Sequence, residues 1–267
     1  MKSSHEIDYQ IFGEEMQAVR LELDTDETVV AESGSLMMMD GTVEMNTIFG
    51  DGSKKSNGIM DKLFSAGKRV LTGERLFMTT YTHRGYGKAH VTFAAPYPGK
   101  VIPLDLSQLD HRIICQKDAF LAAAKGVSIG IEFQKRLGVG FFGGEGFIMQ
   151  KLEGDGMAFV HAGGTVIEKT LLPGETIKVD TGCLVAFTSR IDYNIESVKG
   201  IKNAFFGGEG LFLARLSGPG KVWIQSIPFS RLAERIWSSV PSEGGKRRGE
   251  GSLLGGLGDL LDGDNRF

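Results

Sequence analysis

Only two cysteines, Cys115 and Cys183, occur among the 267 residues. Two thiols build neither a disulfide framework nor a zinc site, and they suit a reducing, cytoplasmic compartment. Long apolar runs are also missing, and Met1-Lys2-Ser3-Ser4-His5-Glu6 leads into a strand pattern without a secretory leader. The expectation is a soluble or at most membrane-peripheral protein. Positive charge is not in excess: 30 Lys and Arg face 33 Asp and Glu, a net charge of −3. That balance argues against a nucleic-acid partner.

Chemical motifs are equally scarce. No two of His5, His83, His90, His111 and His161 have metal-ligand spacing, and no Gly-x-Ser-x-Gly elbow occurs. The glycine clusters at 143–146 and 207–210 lack the Lys-Ser/Thr ending of a phosphate loop and lead into β-like runs. The expectation is therefore a non-enzymatic protein with no metal and no cofactor.

What the chain has in quantity is glycine, 38 residues, and repetition. Phe141-Phe142-Gly143-Gly144-Glu145-Gly146 returns as Phe205-Phe206-Gly207-Gly208-Glu209-Gly210. The same shift of 64 (209 − 145) lays Phe120 on Leu184, Ile129 on Tyr193, Leu152 on Leu216 and Phe159 on Trp223 without a gap. A weaker copy surrounds Gly73-Glu74-Arg75-Leu76-Phe77-Met78. Ser35 to Gly73 spans 38 residues where Ala119 to Gly144 spans 25, so the first copy carries a 13-residue insertion. Val43, Met45 and Thr47 alternate with polar residues, as do Ile191, Tyr193 and Ile195, which is the period of half-buried strands.

These patterns predict an all-β fold of three tandem similar β-sandwich units, an internal triplication, with two short helices. Residues 1–95 form the first unit, with a helical insertion at 49–71. Residues 96–170 form the second, and 171–240 the third with a C-terminal helix. The Gly-, Ser- and charge-rich stretch 241–267 reads as a disordered tail. The glycine turns at Gly154-Asp155-Gly156, at Gly218-Pro219-Gly220 and around Gly85 read as hairpins. Pro98 to Asp105 matches Pro173 to Asp180 as a shared turn-and-strand element. Met37-Met38-Met39 reads as strand core, matching Leu121-Ala122-Ala123 and Val185-Ala186-Phe187.

Two groups of residues are candidates for function. Glu74, Glu145 and Glu209 recur once per copy beside glycine, and carboxylates converging about an axis bind a cation or raise one another's pKa. A structural role, accepting from backbone amides at a turn, is the competing account, and it extends to Asp24, Asp105 and Asp180. Ile59, Met60, Leu63 and Phe64 share one helical face, a surface for the sheet, for a protein partner or for a membrane. His161 matches Gln225 and Thr92, a polar strand position of varied identity. Cys183 matches Ser35 and Ala119, a position for a small side chain.

The runs Leu71-Thr72-Gly73-Glu74-Arg75-Leu76-Phe77, Leu172-Pro173-Gly174-Glu175-Thr176-Ile177-Lys178-Val179-Asp180 and Gly207-Gly208-Glu209-Gly210-Leu211-Phe212-Leu213-Ala214-Arg215-Leu216 resemble the bacterial members of the "altered inheritance of mitochondria" family. The resemblance covers roughly residues 5–240. It implies units like the small β-sandwich of the tryptophan RNA-binding attenuation protein, whose relatives form rings. A fungal relative is linked to organisation of the mitochondrial inner membrane, which points toward scaffolding. The functional expectation is a self-associating scaffold or interaction protein. The alternatives are an RNA-binding module by fold analogy and an enzyme with a site assembled between repeats. A homo-oligomer is expected because tandem sandwiches leave strand edges unpaired, with a trimer as the first guess.

Overall fold

The computed structural model describes residues 3–49, 77–135, 147–197 and 212–239. The chain divides into two compact units, Met1–Ser230 and Arg231–Phe267. The strands, in chain order, are β1 (Asp8–Phe12), β2 (Ala18–Leu23), β3 (Thr28–Glu32), β4 (Leu36–Met39), β5 (Val43–Phe49), β6 (Phe77–His83) and β7 (Ala89–Ala94). They continue with β8 (Gly99–Asp105), β9 (Arg112–Gln116), β10 (Phe120–Ala124), β11 (Ser128–Lys135), β12 (Phe147–Glu153) and β13 (Met157–Gly163). The last six are β14 (Val166–Leu171), β15 (Thr176–Asp180), β16 (Leu184–Thr188), β17 (Asp192–Ser197), β18 (Phe212–Ser217) and β19 (Gly220–Gln225). One α-helix, α1 (Phe229–Ser239), follows Pro228. The protein is mostly β, as the alternating patterns predicted. The helix expected within 49–71 and the tail lie outside the described residues.

The strands form four sheets. Sheet I runs β1-β2-β7-β4, sheet II β5-β6-β3-β10-β13-β8, sheet III β11-β12-β9-β16-β19-β14, and sheet IV β15-β18-β17. Three apolar cores lie between them. Leu21, Val91 and Phe93 of sheet I meet Val29, Tyr81 and Phe159 of sheet II. Val30, Phe120 and Val160 of sheet II meet Ile113, Cys115 and Trp223 of sheet III. Ile114, Met149 and Phe187 of sheet III meet Val179, Ile195 and Leu216 of sheet IV. Sheets II and III are therefore buried on both faces, and neighbouring residues of one strand serve different cores. On β9, Ile113 and Cys115 point one way and Ile114 the other. On β10 all five residues are buried. Its three alanines, Ala122, Ala123 and Ala124, leave room for layers on both sides. Each buried Val, Leu or Ile contributes roughly 1.5–3 kcal/mol, so these central strands dominate the stability.

The sheet orders correct several expectations. β12 lies in sheet III and β13 in sheet II; β18 lies in sheet IV and β19 in sheet III; β6 lies in sheet II and β7 in sheet I. The glycine turns between them are corners from one layer to the next, not hairpins. A Cβ at Gly220, where φ is +155°, would stand 2.4 Å from Thr188 Oγ1, so the corner admits no side chain there. The Pro-Gly elements are not equivalent either. β8 is the edge of sheet II beside β13, whereas β15 pairs with β18 in sheet IV. The 64-residue shift instead carries Arg112–Gln116 onto Thr176–Asp180, and both strands pair with the strand that opens after the glycine cluster.

The methionine run is the largest correction. Met37, Met38 and Met39 are 63%, 53% and 39% exposed. β4 is the outer strand of sheet I, whereas β10 and β16 sit in sheets II and III and are wholly buried. The same apolar pattern is core when a layer covers both faces and surface when none does.

Candidate functional site

A cleft of about 380 Å³ opens on sheet II, where several connections converge. One wall is the Glu32, Ser33, Gly34 and Ser35 turn between β3 and β4. A second is the 3-10 turn Lys117–Ala119 between β9 and β10, and a third is Ala95, Pro96 and Tyr97 after β7. Phe120 and Leu121 of β10, His161 of β13 and Phe229 complete the lining. The Glu32 turn is held by its own backbone, for Ser35 Oγ donates to the Glu32 carbonyl at 2.7 Å.

His161 is 3% exposed, and neither ring nitrogen makes a hydrogen bond. Its ring stands edge-on to Tyr97, centroids 4.5 Å apart, and Tyr97 in turn leans on Phe229 at 5.1 Å. Gly99 permits this placement: a Cβ there would lie 2.7 Å from His161 Nε2. Burial lowers the imidazole pKa to about 4, against a polar contact to the Tyr97 backbone that raises it but falls short of hydrogen-bond geometry. The ring is neutral at physiological pH.

The other titrating groups are shifted the opposite way. Burial, reinforced by the charge of Asp118, raises Glu32 to about 7, while Lys117 works against the shift. Burial, with Asp118 and then Glu32, raises Tyr97 to about 12. The cleft thus combines a neutral imidazole, a carboxyl that changes charge near pH 7 and two aromatic faces. Such a set hydrogen-bonds or orders a small polar ligand. Among the described residues no hydroxyl or thiol hydrogen-bonds to His161.

Glu74, Glu145 and Glu209 lie outside the described residues, as do Ile59, Met60, Leu63 and Phe64. Asp105 and Asp180 follow the structural account: their Oδ1 atoms accept from Ser107 N at 3.0 Å and from Gly182 N at 2.9 Å. Cys115 is a core residue whose thiol burial raises to about 12, and Cys183 is half-buried against the third core. The pairing of His161 with Thr92 needs correction. Phe93 pairs with Leu36 as Val160 pairs with Phe120 and Ile224 with Leu184, so the residues one step further are Ala94, His161 and Gln225. Glu32, Asp118 and Tyr97 had drawn no notice in the sequence. The available signal was Lys117-Asp118 standing where the 64-residue shift puts Thr181-Gly182.

Stacked sheets whose strands alternate between layers, with one helix among the described residues, define a multilayered, mostly β protein. Residues 9–227 match the family model described as mitochondrial biogenesis AIM24, and the chain belongs to that family. It is 28% identical over 226 residues to an uncharacterized protein of Streptococcus pyogenes serotype M6, covering 84% of this chain and 87% of that one. An X-ray structure of a Streptococcus pyogenes protein superposes with a TM-score of 0.67 at 22% identity, over 88% of this chain and all of the other. That likeness concerns the fold.

Proposed function

We propose that the protein is a non-enzymatic, self-associating scaffold built from three copies of one six-strand unit. The observation that carries this reading is the outer strand β4. It pairs with β7 on one side only and exposes Met37, Met38 and Met39 in a row. Unpaired apolar edges are a liability that association relieves. The unit repeat draws support from the pairing irregularities in β4, β10 and β16, which fall between Leu36 and Met38, Phe120 and Ala122, and Leu184 and Ala186. The same edge supports a homo-oligomer, with a trimer as the first guess by analogy with ring-forming folds. Both cysteines are free, in keeping with a cytoplasmic setting. Among the described residues no helix is long and apolar enough to cross a membrane; a membrane-surface partner would engage the segment at Ile59, Met60, Leu63 and Phe64.

The test is light scattering on the full chain across the micromolar range. A mass above that of one chain is expected, and a monomer throughout would overturn the reading.

One observation favours a second reading, small-ligand binding in the cleft: the buried, unpartnered imidazole of His161. Native mass spectrometry of protein taken directly from cells would show a bound small molecule, lost on replacing His161 by leucine. RNA binding draws support only from fold analogy and runs against the net charge of −3.

A further inference from the structure

Two junctions inside the chain have the same construction. In sheet II the edge of β3 takes β10, with Ala31 opposite Ala122, Val30 opposite Ala123 and Val29 opposite Ala124. In sheet III the edge of β9 takes β16, with Cys115 opposite Ala186, Ile114 opposite Phe187 and Ile113 opposite Thr188. Both pairs are antiparallel. Both registers begin two residues after the residue at which the β10 or β16 pairing shifts, Phe120 or Leu184.

Among the described residues, the two outer sheets hold one free half of such a junction each. β15 occupies in sheet IV the place of β9, pairing Val179 with Ala214 as β9 pairs Cys115 with Gln150, and its other side is open. β4 occupies in sheet I the place of β10 and β16, with the same irregularity after Leu36, and its outer side is open too. The two edges belong to separate sheets and do not pair within the chain.

We propose that β4 of one chain takes β15 of a second copy, antiparallel and head to tail. Continuing the two internal registers puts Met38 opposite Val179 of the partner subunit, Met39 opposite Lys178 of the partner subunit, and Asp40 opposite Ile177 of the partner subunit. This deepens the self-association reading above and rests on it. The joined sheet runs β17-β18-β15 of one copy into β4-β7-β2 of the next, the same order of strand types as sheets II and III. It covers Met37, Met38 and Met39, whose counterparts on β10 and β16 are wholly buried. It also pairs the backbone groups of both open edges, which lateral packing of the methionines alone would leave unmet. The contact is heterologous, joining two different surfaces, so it generates a ring when its rotation closes.

Met39→Cys and Lys178→Cys, both at exposed positions, are introduced separately into full-length protein carrying Cys183→Ser, and the two chains are mixed with a short bismaleimide. A covalent dimer is expected, with none when Lys178→Cys is replaced by Thr170→Cys on β14 of sheet III. In parallel, Met38→Glu is examined by light scattering and circular dichroism, with an unchanged spectrum and a fall to the mass of one chain expected. An assembled protein that fails to cross-link between positions 39 and 178, or that keeps its mass as Met38→Glu, overturns the head-to-tail register and leaves self-association standing. A parent chain that is monomeric throughout overturns both.

Discussion

His161 and Gln225 stand at matching places and fare differently. Each follows by one residue the strand position paired with the start of a bulged neighbour, Val160 with Phe120 and Ile224 with Leu184. Each is about 95% buried or more. Gln225 uses both ends of its amide: Oε1 accepts from Gly163 N and Nε2 donates to the Gly182 carbonyl, both at 2.8 Å. His161 makes no hydrogen bond, and its neighbours are the lining of a cleft. At Gly182, Pro228 lies against the turn: a Cβ on Gly182 would be 3.4 Å from the proline ring. Asp118 in the corresponding turn leaves the space open. One position is closed by a satisfied amide, while the other keeps a buried polar group in reserve beside a void. The energetic asymmetry of buried polar groups makes the first stabilising and the second costly.

The largest expected effect comes from breaking the satisfied side. Gln225→Leu strands a buried N–H on Gly163 and a buried carbonyl on Gly182, a cost of roughly 2–5 kcal/mol. Urea denaturation followed by tryptophan fluorescence would register it, with Trp223 in the adjoining core. A loss below about 0.5 kcal/mol would mean that the amide does not close its site.

On the open side the sign reverses. His161→Leu replaces an unpartnered ring by an apolar group and is expected to stabilise by about 1 kcal/mol at pH 7. It also changes the acid limb. The ordinary imidazole value of 6.5 falls to about 4 in the fold. As pH falls the unfolded chain binds the proton first, so stability is full above 6.5 and is lost on the way down to 4. Melting curves of the leucine variant should lack that loss.

Glu32 supplies a smaller dependence of opposite direction. Its folded value of about 7 lies above the ordinary 4.5, so the unfolded chain releases the proton first as pH rises. Its contribution is full below 4.5 and is lost as pH rises through 7. Glu32→Gln should flatten this limb, by about 1 kcal/mol or less after allowance for the water that reaches the cleft. The two limbs overlap and partly cancel in the parent, so each variant alone should show a steeper residual slope than the parent does.

The smallest effect lies at the chain's start. Asp155 accepts from the backbone N–H of Ser3 and of Ser4, which holds its carboxyl well below the usual range. Asp155→Asn should speed amide exchange at Ser4 and leave the melting temperature nearly unchanged.

Much of the β content was legible from local pattern. The alternations at Val43, Met45 and Thr47 and at Ile191, Tyr193 and Ile195 fall in or beside β5 and β17. The layer order was not, because a Gly-Asp-Gly turn serves equally for a hairpin and for a corner. Which one forms depends on whether the next strand has a partner waiting in another sheet. Met37 and Leu121 illustrate the same limit: both are apolar strand residues, and only the presence of a covering layer separates surface from core. The cleft was hidden for a related reason. Glu32, Asp118 and His161 come from connections and strands far apart in the chain, and burial, which no local pattern encodes, is the main cause of the shifts at Glu32 and His161.

The strand β10 sends Phe120 and Ala123 into one core and Leu121 and Ala124 into another. A single inserted residue there would exchange the two sets, spoiling two cores at once. Over evolutionary time such a strand records substitutions but refuses changes of length. Length must accumulate where a strand borders no second core. The stretch from Ser35 to Gly73 is 13 residues longer than that from Ala119 to Gly144, and it takes in the connection that leaves β5, the edge of sheet II, for β6. Related chains should therefore vary in length at that connection and keep β9, β10 and β16 in strict count.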